Sequence, residues 1–173
     1  MKIKKYKKIP STSILAKELK RPEDWQILWA QEQTDGYGRK KDYWFSPKGG
    51  LYFSIILPKS KIEDLQTLTI LAAFIISKTI KKKFNLEPFI KLPNDVYVNQ
   101  KKIAGILTEN VVSSKVKFSI MGIGLNTNID RFPKELENTA TSLKIELGRK
   151  VENEKLLRQI VKGIKEELKT ISE

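Results

Sequence analysis

The sequence predicts a single α+β domain over residues 1–173, a mixed β-sheet backed by helices. Two observations carry that prediction. β-rich runs recur at Trp25 to Gln31, Leu51 to Leu57, Phe89 to Val98, Lys102 to Glu109 and Lys117 to Met121, and the third and fourth flank an Asn-containing turn as a hairpin does. Two long segments instead space their apolar residues at helical intervals, and they do not alternate one for one with the strands. The chain of 173 residues is the size of one domain and can bury a substantial core.

From the start, Met1 to Lys8 is basic and leads into Ile9-Pro10-Ser11-Thr12 rather than an apolar run, so it does not read as a signal peptide. Ser11, Thr12 and Ser13 precede apolar-spaced Ile14 to Leu19, which ends before Pro22, the pattern of a short capped helix. Such hydroxyls cap the helix or bond a ligand. Both readings stand.

Between the first two strands lies Gln33-Thr34-Asp35-Gly36-Tyr37-Gly38-Arg39-Lys40-Lys41-Asp42-Tyr43-Trp44-Phe45-Ser46-Pro47. Gly36 and Gly38 let the main chain turn sharply and present N–H groups, and Arg39 to Lys41 add full charge. A basic surface turn would share those features, but the interleaved Gln33, Tyr43, Trp44 and Ser46 favour a site for phosphate or carboxylate. The dinucleotide fingerprint is incomplete, with Lys41 in place of its last glycine, and no P-loop is present.

Ser60-Lys61-Ile62-Glu63 has capping-box spacing and opens a helix to about Phe84, apolar almost all round between Leu68 and Ile76. Pro93 makes Lys91 to Asp95 a bend or an edge. In the next run, alternation sets Lys102, Ala104 and Ile106 on one face, beside Gly105. Lys102 there points into a pocket or snorkels at a strand end. After the strand at Lys117 to Met121, Gly122 and Gly124 admit close approach and Asn126 is the first polar side chain out. Thr139 to Leu143 opens a short element, and Leu156 to Leu168 mark a closing helix weakened by Gly163.

There is no Cys and no His, which excludes a thiol nucleophile, a Ser-His-Asp triad and any His or Cys metal centre in this chain. Net charge is +13, but the lysines are spread along the chain, so diffuse surface charge is favoured over a nucleic-acid groove. The longest apolar patch is too short for a membrane span, and a cytoplasmic protein is expected.

Taken together, these motifs resemble the catalytic domain of biotin protein ligases over nearly the whole chain. The residues that carry the resemblance are Ser11-Thr12, with Ser13 where Asn is common, and the loop residues Gln33, Thr34, Gly36, Gly38, Arg39, Trp44, Ser46 and Pro47. They continue with Lys91, Pro93, Asn94 and Asp95, then Lys102 through Leu107 with Glu109, then Gly122, Gly124 and Asn126, and Ala140 to Leu143. Tyr37, Lys41 and Asp42 depart from the family loop, where arginine, glycine and arginine stand, and Leu92 replaces a tryptophan.

The resemblance implies a class II aminoacyl-tRNA synthetase-like fold and two-step chemistry. Biotin and ATP, with Mg2+ carried on the phosphates and no dedicated protein site for it, form biotinyl-AMP. A lysine of a biotin carboxyl carrier domain then takes the biotinyl group. It further implies that Arg39, Lys102, Lys91 and Asp95 are catalytic. Ser11, Thr12, Ser13, Gln33, Tyr37, Gly38 and Gly105 would join Arg39 and Lys102 in binding biotin. Trp44, Asn94, Gly124 and Asn126 would join Arg39, Lys91 and Lys102 on the nucleotide. Ser11 lies so near the start, and the chain ends so soon, that neither an N-terminal winged-helix domain nor a C-terminal β-barrel is expected, and hence no specific DNA binding. A homodimer is left open. Two rivals remain: lipoate or octanoate transfer on the related fold, and a basic RNA-binding module without catalysis.

Overall fold

A computed structural model describes residues 2–57, 64–112 and 117–172. Seven strands form one mixed sheet: β1 (Lys2–Tyr6), β2 (Gln26–Ala30), β3 (Leu51–Leu57), β4 (Pro88–Lys91), β5 (Asp95–Val98), β6 (Lys101–Val112) and β7 (Lys117–Leu125), in the order β1-β2-β3-β7-β6-β5-β4. Among these seven strands β1 and β2 pair in parallel and the other neighbours are antiparallel. β1 is an addition to the sequence reading, which took its lysines for a basic lead-in. Its alternation is masked because Lys5 sits over the Trp29 ring, 4.1 Å from the centroid.

Two helices back one face, α2 (Leu65–Phe84) and α4 (Asn153–Ser172). α1 (Thr12–Lys17) covers part of the other, and α3 (Leu143–Leu147) follows the Ser142 cap. Asp64 caps α2 by accepting from the N–H groups of Gln66 and Thr67; the anticipated box at Ser60 to Glu63 falls outside the described residues. The main core lies between the sheet and α2 with α4, where Phe53, Ile55, Ile76, Ile80, Leu157, Ile160 and Ile164 are buried. Each such side chain contributes about 1.5–3 kcal/mol. The apolar stretch of α2 is not buried all round, since Phe74 is half exposed. Gly163 turns out to be a packing residue: a Cβ there would lie 2.8 Å from Ile75 Cγ2, so its absence lets α4 close on α2.

Three features position the site. The bend expected at Pro93 is present, and it divides the run from Phe89 to Val98 into two strands, β4 and β5, folded back on each other around a cis Leu92–Pro93 bond. β7 runs on past Met121 through Gly122 and Gly124 to Leu125, so the close approach these glycines admit is made within the sheet. The alternation at Lys102 is broken by a bulge: Val96 pairs with Ala104 but Tyr97 with Lys102. The extra residue reverses the sense of the face. Ala104 and Ile106 join the helix-backed core, and Lys102 shares the open face with Gly105, whose Cβ would meet the Lys102 side chain at 3.5 Å.

Candidate active site

On the open face of the sheet, β3, β7 and β6 place small residues side by side. Ser54 pairs with Gly122, Gly122 with Leu107, and Gly124 with Gly105. This low floor is roofed by the loop between β2 and β3. That loop does not present the N–H groups expected of its glycines to a ligand. Residues 36–44 fold as a small hairpin, with Gly38 N–H donating to Asp42 O, Trp44 N–H to Gly36 O, and Tyr37 bridged to Tyr43. Neither Gly36 nor Gly38 has a positive φ; Lys40 and Lys41 do, at 56° and 62°. Gly36 is required for space, since a Cβ would fall 2.5 Å from Ser46 Oγ.

The roof and floor enclose a cavity of about 340 Å³, within the range of small-molecule sites. At one end stand the α1 hydroxyls. Ser11 caps the helix, accepting from Ser13 and Ile14 N–H. Ser54 Oγ donates to Thr12 Oγ1 at 2.8 Å and lies 3.1 Å from Ser13 Oγ. Ser54 has one proton, so Ser13 is the donor to it. The relay therefore runs Ser13 to Ser54 to Thr12, leaving the Thr12 O–H as an unassigned donor at the cavity wall. Gln33 accepts from Thr12 N–H at 2.8 Å and donates to Ser46 Oγ at 3.0 Å, which fixes this end.

At the other end Lys102 Nζ donates to Asp95 Oδ1 at 2.7 Å, and the same oxygen accepts from Asn94 Nδ2 at 3.0 Å. Arg39 reaches Asn94 Oδ1 at 3.4 Å. The N–H groups of Gly38, Asp42 and Trp44 are used inside the hairpin, so Arg39, Lys40 and Lys102 supply the positive charge. Lys102 also lies over the Trp44 ring, 5.3 Å from its centroid.

Trp44 divides this cavity from a second one of about 230 Å³, with Tyr43 and Lys102 in both walls. Its indole rests on the paired glycines: a Cβ on Gly124 would lie 2.4 Å from Trp44 Nε1, and one on Gly105 3.0 Å from Cζ3. Trp44 Nε1 and Asn126 Oδ1 are buried without a hydrogen-bond partner. Both residues line the second cavity, and an orphaned donor and acceptor there suit the edge of a planar, hydrogen-bonding ligand.

Of the residues expected at the site, all but Lys91 and Asn126 line the first cavity. Asn126 lines the second, with Tyr97, Phe132 and Leu136. Lys91 lines neither; it extends from β4 with its Nζ 5.7 Å from the Tyr97 ring. Gly124 serves as the seat of Trp44 more than as an open approach.

Residues not expected are Ser54 and Lys17. Ser54 has a faint signal, one serine in a strand otherwise of aliphatic and aromatic residues. Lys17 has none: it is brought in by α1, donates to Glu109 at 2.8 Å and Tyr37 Oη at 2.9 Å, and Tyr37 donates to the other Glu109 oxygen at 3.0 Å. Burial is the largest influence on both groups. It raises the Tyr37 phenol, with the Glu109 charge adding to the rise. On Lys17 it opposes the charged form but is outweighed by the bonds to Glu109 and Tyr37, so that pKa also rises. Both remain protonated at neutral pH. Among the described residues no group of three or more acidic side chains forms a metal site.

A helix-backed mixed sheet whose open face holds a hydroxyl-lined cavity, a Lys-Asp pair and a tryptophan-walled second cavity defines an α+β domain of small-molecule-binding type. The chain belongs to the biotin/lipoate A/B protein ligase family, whose sequence model matches residues 6–126. It is 36% identical over 140 residues to the bifunctional ligase/repressor BirA of Bacillus subtilis, covering 78% of this chain and 43% of that protein. It is 33% identical over 103 residues to biotin–protein ligase 1, chloroplastic, of Arabidopsis thaliana, covering 56% and 28%. The chain thus spans less than half the length of these curated relatives. A solved structure of biotin protein ligase from Aquifex aeolicus in complex with biotin and ATP superposes with a TM-score of 0.90 at 33% identity, covering 99% of this chain and 72% of that one.

Proposed function

We propose that the protein activates biotin with ATP and transfers it to a lysine of a carboxyl carrier domain. The observation that carries this reading is the meeting of two cavities at Lys102: one ends in oriented hydroxyls, the other in an orphaned donor and acceptor beside Trp44. An acid with a hydrogen-bonding head fits the first, its carbonyl oxygen accepting from Thr12. A nucleotide base fits the second. Their reacting ends converge on Lys102, Arg39 and Asp95.

In the first step a carboxylate oxygen of biotin attacks the α-phosphorus, and the bond to pyrophosphate breaks. No proton moves, which suits a site without His or Cys. Charge on the phosphoryl oxygens is met by Lys102 and Arg39, already positioned. Mg2+ brought in with ATP would supply further positive charge for the departing pyrophosphate, beside Lys102 and Arg39. In the second step a lysine amine attacks the biotinyl carbonyl, AMP leaves with the bonding electrons, and Asp95 takes the amine's proton.

Pyrophosphate exchange into ATP tests the reading. Exchange should require biotin, and labelled biotin should then reach a carrier domain; exchange with lipoate or octanoate instead would transfer the assignment to the other branch of the family. Binding to RNA that persists at high salt, without exchange for any acid, would favour a non-catalytic module.

A further inference from the structure

Tyr37 stands where the resembling loops carry arginine, and its hydroxyl is bonded on both sides: it accepts from Lys17 of α1 at 2.9 Å and donates to Glu109 of β6 at 3.0 Å. Lys17 and Glu109 are themselves paired at 2.8 Å. Helix, roof and floor are therefore joined at a single point beside the hydroxyl end of the cavity. Lys17 Nζ also lies 5.3 Å from the Tyr37 ring centroid.

Among the described residues nothing comparable holds the tip of the hairpin. Lys40 and Lys41 adopt left-handed backbone angles that side chains disfavour, and the Arg39 bond to Asn94 is long, at 3.4 Å. The hairpin closes on the cleft from its Tyr37 side.

We propose that Lys17 and Tyr37 are positioning residues which, with Glu109, tether the roof hairpin across the cleft and keep the hydroxyl end of the cavity formed before substrate binds. The substrate identity rests on the activity proposed above; the tether itself does not. Because the roof is already held, biotin does not bear the cost of ordering it, so the tether acts on substrate binding rather than on the bond-making step.

Trypsin reads the tether without any substrate, because Arg39, Lys40 and Lys41 offer cleavage points at the tip. In the ligand-free protein, Tyr37→Phe and Lys17→Met should be cut there about fivefold faster than wild type or more, at comparable global melting temperature, and Lys17→Arg should match wild type. In biotin-dependent exchange, Lys17→Met should raise KM for biotin about tenfold with kcat changed less than about twofold, and Lys17→Arg should restore KM. Unchanged cleavage in both variants, a fall in kcat at constant KM, or a failure of Lys17→Arg to restore would overturn the proposal. If wild type shows no biotin-dependent exchange, the activity falls and cleavage alone judges the tether.

Discussion

Ser54 has one proton, and its direction decides what the cavity offers a ligand. Bonded to Thr12, it leaves the Thr12 hydroxyl free to donate to an acceptor such as a ureido carbonyl. Ser54→Ala should raise the Kd for biotin about five- to tenfold and cost about 1–2 kcal/mol of stability, as a buried hydrogen bond does. Calorimetry and denaturant titration read the two, and unchanged affinity would show that the relay does not orient Thr12. Lys102→Ala leaves Asp95 with Asn94 but without its cation and removes the charge shared by both cavities; exchange should fall by about two to three orders of magnitude. A loss under tenfold would move the reacting centre elsewhere. At this scale the sequence was informative where charge and glycine broke an otherwise apolar pattern, as at Arg39, Asp95, Lys102 and Gly105. It was silent on Lys17, whose contacts with Tyr37 and Glu109 depend on packing between three separate elements.

Among the elements, the misread ones share a cause: pattern rules assume uninterrupted strands and helices. The bulge at Lys102 exchanges the two faces of β6, so a simple period of two assigned Ala104 and Ile106 to the wrong side while leaving Lys102 in the site. The glycines of β7 were legible as points of close approach, but nothing local reveals that what lies on them is an indole and the Ser13 hydroxyl. Gly163 was read as a weak point in α4 and is instead the contact that admits Ile75. Ala there would add helix propensity of about 1 kcal/mol but force an overlap costing about 1–3 kcal/mol. Gly163→Ala should therefore lower stability by about 1 kcal/mol in urea unfolding, and a stabilised variant would refute the packing role.

At the level of the whole molecule, the α+β class, the hairpin and the two backing helices were legible, because they rest on long apolar repeats. The strand order was not, since β1 joins the sheet beside β2 in parallel through residues that read as a basic tail. Among the described residues no helix is long and apolar enough to cross a membrane. What the topology accomplishes is to bring α1, the β2–β3 hairpin and the β4–β7 end of the sheet around one pair of cavities. The central claim is that those cavities join an acid to a nucleotide and hold the product. The most direct test is to incubate the protein with biotin and Mg-ATP without acceptor, pass it through a desalting column and analyse what remains bound. The account predicts biotinyl-AMP retained with the protein and discharged on adding a carrier domain. Recovery of unreacted biotin and ATP, with no adenylate formed, would contradict it.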